Sequence, residues 1–346
     1  MVRPFRLSTL RAIGRSGPRH DVVVVTGASA GVGRAVVREF AKRRCCIGLL
    51  ARGEEGLEAA QREVEEAGGL ALVLSTDVAD PVAIEQAAQE VEDEFGPIDI
   101  WVNNATVSVF SPASEMTAEE YRRVTEVSYL GYVYGTLEAL RRMLTHDRGM
   151  IVQVGSAHAY RGIPLQSAYC GAKHAIQGFT ESVRCELIHD KSNVKITMVH
   201  LPAMNTPQHG WSKSKMGKRA QPTPPMYQPE VAARAIHYAA YHYRREWNLG
   251  LITEVVLLAN ALAPGLTDWY LGRYGYESQM TDEPEDLRRP HNLWEPLPGD
   301  HGASGGFRER VAETSTQWWF TKNRGLLALA SSSVAGLLWL GSGSLM

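Results

Sequence analysis

The chain lacks several features that mark whole classes of protein. It has 346 residues but four cysteines, two of them adjacent, so we expect no disulfide framework and a reducing compartment. A formal net charge of −2 provides no basic excess, which argues against nucleic acid as the main partner. No His/Cys/Asp cluster has metal-ligand spacing, so we predict no metal site. No internal repeat is visible.

Both ends of the chain differ in composition from its middle. Residues 1–20 hold five arginines and no acid, and they lack the apolar run of a secretory signal. They predict either a flexible basic arm or a membrane-surface or targeting segment. Residues 325–346 carry no charge and are either a C-terminal membrane anchor or a loosely packed tail. We therefore expect a cytoplasmic protein, with C-terminal membrane association as the open alternative.

The middle of the chain alternates apolar runs with helical patterns. Over residues 21–262, near-continuous apolar strands such as "DVVVVTG" and "GMIVQVGS" alternate with amphipathic segments. This pattern predicts one α/β domain with a doubly wound parallel sheet, the Rossmann fold, whose ligand site lies at the carboxyl ends of the strands. Residues 263–324 are rich in Pro, Gly and charge, and we interpret them as an extended tail over the domain, anchored by Trp294.

A glycine-rich loop, "TGASAGVG", directly follows the first strand and opens a helix. Gly27 allows the tight turn, Gly31 lets the backbone approach a pyrophosphate, and Gly33 allows close helix–strand packing. The strand–loop–helix context predicts a dinucleotide site. Strand two ends in Ala51 and Arg52 without an acidic residue, and an arginine there can bind a 2′-phosphate. NADP(H) is therefore favoured over NAD(H).

The stretch "QSAYCGAKHAI" places Tyr169 and Lys173 four residues apart, on one face of a predicted helix. A free phenol has a pKa near 10. A neighbouring lysine cation stabilises the phenolate, so we expect Lys173 to lower the pKa of Tyr169 and make it a usable acid or base.

Together these motifs resemble the short-chain dehydrogenase/reductase family, in its compact single-domain branch. The likeness covers residues 21–252 and includes the glycine loop, "NNA" after strand four, Ser156 after strand five and "YCGAK". The resemblance implies a carbonyl/alcohol oxidoreductase in which Tyr169 is the general acid or base, Lys173 lowers its pKa and binds the nicotinamide ribose, and Ser156 holds the substrate oxygen. It also implies a homo-oligomer and these cofactor-binding residues: Gly27, Ser29, Ala30, Gly31, Val32, Gly33, Arg52, Asp77, Val78, Asn104, Ala105, Tyr169, Lys173, Pro202 and Thr206.

Three positions depart from the family pattern. Thr106 and Ala203 stand where the family has glycine, and Ser128 stands where a helix asparagine completes a proton relay. Because that relay uses a backbone carbonyl, we expect Ser128 to keep a weakened or rearranged version of it.

Substrate specificity should come from residues after Ser156 and after strand six. We predict His158, Tyr160, Met204 and Trp211 as substrate contacts, and the long segment 204–230 as a lid, forming a pocket for an apolar carbonyl or alcohol. A loop that packs on its own side chains is the alternative. Two other functions keep the same fold: a catalytically silent NADP(H)-binding sensor or scaffold, and an epimerase that uses the cofactor transiently.

Overall fold

The computed structural model describes residues 20–307 and 311–324. Most of the basic segment predicted over residues 1–20, and all of the uncharged segment 325–346, therefore lie outside the described residues.

Seven strands make one parallel sheet at the centre of the molecule, and shorter strands pair around its carboxyl edge. Among the described residues the strands are β1 (Val22–Thr26), β2 (Cys46–Ala51), β3 (Leu70–Ser75), β4 (Ile100–Asn103), β5 (Val109–Phe110), β6 (Met150–Ser156), β7 (Lys195–Leu201), β8 (Ala203–Met204), β9 (Lys213–Ser214), β10 (Lys218–Ala220), β11 (Met226–Tyr227), β12 (Glu246–Asn248), β13 (Met280–Pro284) and β14 (Val311–Ala312). The central order is β12-β7-β6-β4-β1-β2-β3.

Helices cover both faces of this sheet. They are α1 (Gly31–Ala41), α2 (Glu54–Glu66), α3 (Pro81–Phe95), α4 (Ala118–Thr125), α5 (Gly131–Met143), α6 (Ser167–His189), α7 (Gln208–Trp211), α8 (Pro229–Tyr241), α9 (Leu251–Leu262), α10 (Pro264–Tyr274) and α11 (Thr316–Lys322). The strand order reverses direction between β1 and β4, which opens a crevice at their carboxyl ends. The predicted doubly wound Rossmann sheet is confirmed.

The sheet separates two apolar cores. Successive residues of a strand point to opposite faces, so Val23 and Val25 of β1 join one core while Val22 and Val24 join the other. All four are almost fully buried, which explains why the strand is a continuous apolar run.

The helical segment that precedes β6 is interrupted. Helix α4 begins with a capping box in which the side chains of Thr117 and Glu120 each bind the other's backbone N–H. A π-helical turn over Glu126–Leu130, which contains Ser128, joins α4 to α5.

The part of the chain after residue 245 differs most from the prediction. Strand β12 was missed because it has three residues and pairs with β7 alone. The region expected to be extended contains helices α10 and α11. Leu293 anchors it instead of Trp294, since Leu293 is fully buried while Trp294 is 42% exposed. The division into a domain and a tail stays a prediction.

Candidate active site

A single large cavity of about 1210 Å³ lies at the carboxyl ends of the central strands. It brings together residues that are far apart in the sequence, including the loop after β1, the end of β6 and the start of α6. The predicted site residues that line it are Gly27, Ser29, Ala30, Gly31, Val32, Arg52, Asp77, Val78, Asn104, Ala105, Ser156, His158, Tyr169, Lys173, Pro202, Met204, Thr206 and Trp211.

The glycine loop fits tightly against the end of β4. Gly27 has a φ of +68°, and a Cβ there would lie 2.9 Å from the Cα of Ala105. A Cβ on Gly33 would lie 2.0 Å from the carbonyl oxygen of Gly27, so Gly33 supports the loop from behind and does not line the cavity. Asn104 donates from Nδ2 to the carbonyl of Thr26 at 3.0 Å. These contacts fix the loop's backbone.

Arg34 holds the same loop from the other side, and the sequence analysis missed it. Its side chain is 1% exposed and its guanidinium donates to the carbonyls of Ser29, at 3.1 Å, and Gly56, at 2.7 Å. Its charge is balanced by Glu63 at 2.7 Å. The arginine sits within the helical pattern of α1, where it has no sequence signal that separates it from a surface residue.

Ser156, Tyr169 and Lys173 meet on one side of the cavity because β6 ends where α6 begins to cross it. The ammonium of Lys173 donates to the phenol oxygen of Tyr132, at 3.1 Å, and to the carbonyl of Val154, at 2.9 Å. It lies 5.6 Å from the ring centre of Tyr169. Tyr132, which the sequence analysis did not single out, is thus the direct partner of the lysine.

The protonation of this group differs from the expectation. Burial raises the pKa of Tyr169, and the hydrogen bond with the Ser156 hydroxyl lowers that pKa only in part. Burial also lowers the pKa of Lys173 to about 7. The predicted lowering of the tyrosine pKa by the lysine is therefore wrong for this arrangement, in which desolvation dominates and Tyr169 is held as a neutral phenol.

Besides Gly33, two predicted site residues do not line the cavity. The Ser128 hydroxyl accepts from the backbone N–H of Val107 at 3.0 Å and donates to its carbonyl at 2.9 Å, so this side chain supports the loop that carries Thr106. Tyr160 turns its phenol to the carboxylate of Glu246, which removes it from the predicted substrate contacts. His158 does line the cavity, and burial lowers its pKa.

A polar network behind the cavity was also missed. Glu246 accepts from the phenol of Tyr160, and from Gln177 at 3.1 Å, and lies 3.4 Å from Nε2 of His200. Nδ1 of His200 lies 3.2 Å from the carbonyl oxygen of Ser156. Burial raises the pKa of Glu246, but hydrogen bonds from His200 and Tyr160 outweigh it and lower that pKa to about 2. The network ties β12 to the end of β6.

The chain between residues 251 and 307 closes the cavity on the side away from the sheet, and we call this region the C-terminal wall. Its cavity-lining residues are predominantly apolar: Ile252, Val255, Val256, Ala259, Leu266, Trp269, Tyr270, Leu271, Pro296, Leu297 and Pro298. Their sequence signal is the helical spacing of large apolar residues over 251–274, of which 251–262 was predicted to end the domain and 263–274 to begin the extended tail.

The C-terminal wall reaches both ends of the crevice. Arg52 donates to the carbonyls of Asn292 and Trp294, each at 2.6 Å. The carbonyl of Gly302 accepts from the N–H of Gly31 at 3.0 Å, at the start of α1. Asp77 binds Arg123 at 2.6 Å.

The chain is similar in sequence to a known family and to several named proteins. The family model described as short chain dehydrogenase matches residues 21–216. The chain is 32% identical over 324 residues to "Uncharacterized oxidoreductase YxnA" of Bacillus subtilis, which covers 92% of this chain and 89% of that protein. It is 31% identical over 222 residues to "3-dehydrosphinganine reductase" of Danio rerio, covering 62% of this chain and 66% of that protein.

A solved structure shares the fold. The alcohol dehydrogenase of Thermococcus sibiricus, complexed with 5-hydroxy-NADP, aligns with a TM-score of 0.58 and 24% identity, covering 66% of this chain and 95% of that one. Separately, no helix within residues 20–307 and 311–324 is long and apolar enough to cross a membrane.

Proposed function

Since the chain belongs to the short chain dehydrogenase family, whose members are oxidoreductases, we propose that it interconverts a carbonyl and a secondary alcohol with NADP(H). The observation that carries this proposal is the shared cavity. Ser156, Tyr169 and Lys173 line the same 1210 Å³ space as the glycine loop, so a bound dinucleotide and the three side chains can meet there.

The residues present fit a dinucleotide. The loop has the glycines that a close backbone approach requires, and no side chain caps the N–H groups at the start of helix α1, although the N–H of Gly31 is bonded to the carbonyl of Gly302. Within the described part of the chain, Nε1 of Trp211 and Oδ1 of Asn292 are buried without a hydrogen-bond partner, and both residues line the cavity. Such unpaired polar atoms favour a polar ligand. When bound, the nicotinamide supplies or accepts the hydride.

The side chains then have separate roles in moving a proton. Tyr169 is held as a neutral phenol by its burial, so it can donate a proton to a carbonyl oxygen during reduction. The Ser156 hydroxyl orients that oxygen. Lys173, fixed by Tyr132 and Val154 at 5.6 Å from the Tyr169 ring, is proposed to hold the nicotinamide ribose and so to position the cofactor beside the phenol. The backbone carbonyl of Ser128 is proposed to take part in returning the proton from solvent.

A 2′-phosphate is favoured by the charges at the end of β2. The sequence Ala51-Arg52-Gly53 puts a cation where an acidic residue would repel the phosphate. The guanidinium of Arg52 uses two N–H groups on carbonyls and has five in all. Asp77, the nearby acid, is already paired with Arg123. NADP(H) is therefore the proposed cofactor.

The substrate is proposed to be apolar. The C-terminal wall faces Tyr169 with aliphatic and aromatic side chains, among them Val255, Leu266 and Trp269. The relative named 3-dehydrosphinganine reductase has in its name a carbonyl compound with a long hydrocarbon chain. Its alignment covers 66% of that protein, so the name suggests a class of substrate and no single compound.

The test is NADPH oxidation, followed by absorbance, with a panel of ketones, aldehydes and quinones of increasing chain length. We expect turnover that falls at least about a thousandfold in Tyr169→Phe, the upper range for loss of a general acid. NADPH binding, measured by fluorescence, should persist. The matched control is Tyr134→Phe, which removes a phenol oxygen outside the cavity. If wild type and Tyr169→Phe both bind NADPH and neither shows turnover, a silent nucleotide-binding protein is favoured instead.

A further inference from the structure

Helix α9 exposes a stripe of apolar side chains to solvent. Leu251, Val255, Leu258 and Leu262 follow the i, i+4, i+7, i+11 spacing of one helical face, and they are 63%, 49%, 61% and 76% exposed. In a helix that covers a core, such a stripe faces inward. Here the buried member of α9 is Thr253.

Helix α10 repeats the arrangement. Leu266, Trp269, Tyr270 and Tyr274 share one face and are 66%, 64%, 56% and 47% exposed, and none of the residues of α10 is buried. Eight large apolar side chains thus project from the two helices, which we call the apolar helix pair. Exposed apolar surface of this extent marks an interaction site.

Few charges interrupt this face, and the one that lies within it is a cation, Arg273, four residues after Trp269 on α10. Residues 251–274 contain Glu254, Asp268 and Arg273 as their charged side chains. Glu254 accepts from Asn248 of β12 at 3.1 Å, and Asp268 accepts from Arg161. Two of the three charges therefore serve contacts with the rest of the protein.

The exposed face is continuous with the mouth of the cavity. Val255, Leu266, Trp269 and Tyr270 belong to both, since each is at least 49% exposed and each lines the cavity. Apolar side chains therefore extend from this face into the cavity that contains the catalytic side chains.

We propose that the apolar helix pair docks on a lipid bilayer, lying in the plane of its surface, and that the apolar substrate enters the cavity from the lipid. Tryptophan and tyrosine beside leucine are the residues that favour the boundary between headgroups and acyl chains. A second copy of the chain on this face would cover the mouth of the cavity, whereas a bilayer would supply the substrate to it.

The last described residue of the chain favours the same occupant. Arg324 lines a small surface cavity together with Leu251 and Glu254, and the 22 residues that follow it in the sequence are uncharged. Lys322 and Arg324 precede them, as cationic residues commonly flank segments at a membrane surface. Docking on the bilayer is independent of catalytic activity. Delivery of substrate from the bilayer to the cavity rests on the proposed function.

The test is flotation of the full chain on a density gradient with vesicles of phosphatidylcholine, alone and mixed with phosphatidylglycerol. The variant is Leu258→Gln with Leu262→Gln, since both side chains are exposed and neither lines the cavity. The control is Leu144→Gln with Ile188→Gln, two exposed apolar residues elsewhere. We expect wild type and control to float, and the variant to bind at least about tenfold more weakly.

Three results would overturn the docking surface: wild type that does not float, a variant that floats as well as wild type, or a variant that changes only the oligomeric state. Delivery is tested with a long-chain 2-alkanone in the vesicles and a short, water-soluble 2-alkanone. The variant should lose turnover of the first and keep turnover of the second, and equal loss of both would refute delivery. A chain that floats but reduces no carbonyl would refute the proposed function and leave the docking surface standing.

Discussion

The two walls of the active-site cavity are built in different ways. The sheet wall consists of the carboxyl ends of β1, β2, β4, β6 and β7 with their loops, and each of these strands is paired on both sides. The C-terminal wall, residues 251–307, contains helices with no more than one buried residue each, and no strand of it belongs to the central sheet. Its attachments to the rest of the protein include the carbonyls at residues 292, 293, 294 and 302, the bonds of Gly305 and Phe307 to Asn205, and the pairing of β13 with β10.

This difference assigns different tasks to the walls. Chemistry requires atoms held to a fraction of an ångström, and the sheet wall carries the side chains proposed for it. Substrate entry and cofactor exchange require an opening, and the C-terminal wall is held by individual hydrogen bonds and a two-stranded pairing and has no strand in the central sheet. Changes in the sheet wall should therefore affect turnover most, and changes in the C-terminal wall should affect binding.

After the loss expected for Tyr169→Phe, the largest effect is expected in the sheet wall at Ser156. Replacing it by alanine removes the hydroxyl that interacts with Tyr169 at the end of β6. We expect kcat to fall about a hundredfold or more, the usual cost of losing a positioned hydrogen-bond donor. The dissociation constant for NADPH should change little. Ser182→Ala, an exposed serine on α6, is the control, and a Ser156 variant with normal kcat would contradict the proposed role.

The next effect is expected where the two walls meet, at Arg52. Arg52→Asp introduces a carboxylate, which repels a 2′-phosphate and can accept hydrogen bonds from the ribose hydroxyls of NADH. We expect the ratio of kcat/KM for NADPH over NADH to fall at least about tenfold, through the loss of an ion pair and the gain of a repulsion. The mutation also removes two hydrogen bonds to residues 292 and 294.

Arg52→Gln separates these two consequences, because it keeps a donor for the carbonyls and removes the charge. A ratio that changes in Arg52→Asp and not in Arg52→Gln would assign the effect to repulsion. A ratio that changes in neither variant would contradict the choice of NADP(H).

The sheet wall was largely predictable from the sequence because its signals are local. The glycines from Gly27 to Gly33 follow a strand directly, and Tyr169 and Lys173 are one helical turn apart. Features that depend on distant contacts were missed. Arg34 is indistinguishable from a surface arginine until Ser29, Gly56 and Glu63 surround it.

The C-terminal wall was poorly predicted for a different physical reason. Helical spacing is present in the apolar helix pair, but spacing shows which side chains share a face and not whether that face is buried, exposed or part of a cavity. The protonation of Tyr169 was also mispredicted, since spacing reveals its neighbour Lys173 but not the burial that raises the tyrosine pKa. The desolvation of Tyr169 depends on all the residues that surround it, which come from many parts of the chain, so no single segment of the sequence predicts it.

A smaller effect is expected from loosening the C-terminal wall at Gly305. A Cβ there would lie 2.5 Å from the backbone oxygen of Thr206, which cannot move freely, so Gly305→Ala must shift the wall. A Cβ on Gly306 would meet only the flexible end of Arg219 at 3.2 Å, which makes Gly306→Ala the matched control. We expect the KM for NADPH to rise about three- to tenfold in the first variant alone, with kcat nearly unchanged.

Equal kinetics in the two glycine variants would show that the C-terminal wall does not shape the cofactor site. A fall in kcat as large as that of Ser156→Ala would also break the comparison, because the wall would then take part in positioning the reacting atoms.

The smallest effect is expected from the support behind the sheet wall, at Glu63. Burial raises the pKa of this carboxyl, but hydrogen bonds from Arg38 and Arg34 outweigh it and lower the pKa to about 2 from 4.5. The folded state therefore holds the proton more weakly than the unfolded state, so the stabilisation is complete above pH 4.5 and is lost as the pH falls toward 2. Because the side chain is 29% exposed, we expect Glu63→Gln to lower the free energy of unfolding at neutral pH by about 1 kcal/mol.

Urea denaturation at several pH values separates this contribution from a packing defect. The difference between wild type and Glu63→Gln should be constant at neutral pH and shrink in acid, because a protonated glutamate and a glutamine are both neutral. Glu66→Gln, an exposed carboxylate on the same helix, is the control and should show no such difference. The difference in free energy of unfolding between wild type and Glu63→Gln could instead be as large in acid as at neutral pH. Arg34 would then hold the glycine loop without help from its ion pair, and the sheet wall would depend on backbone contacts alone.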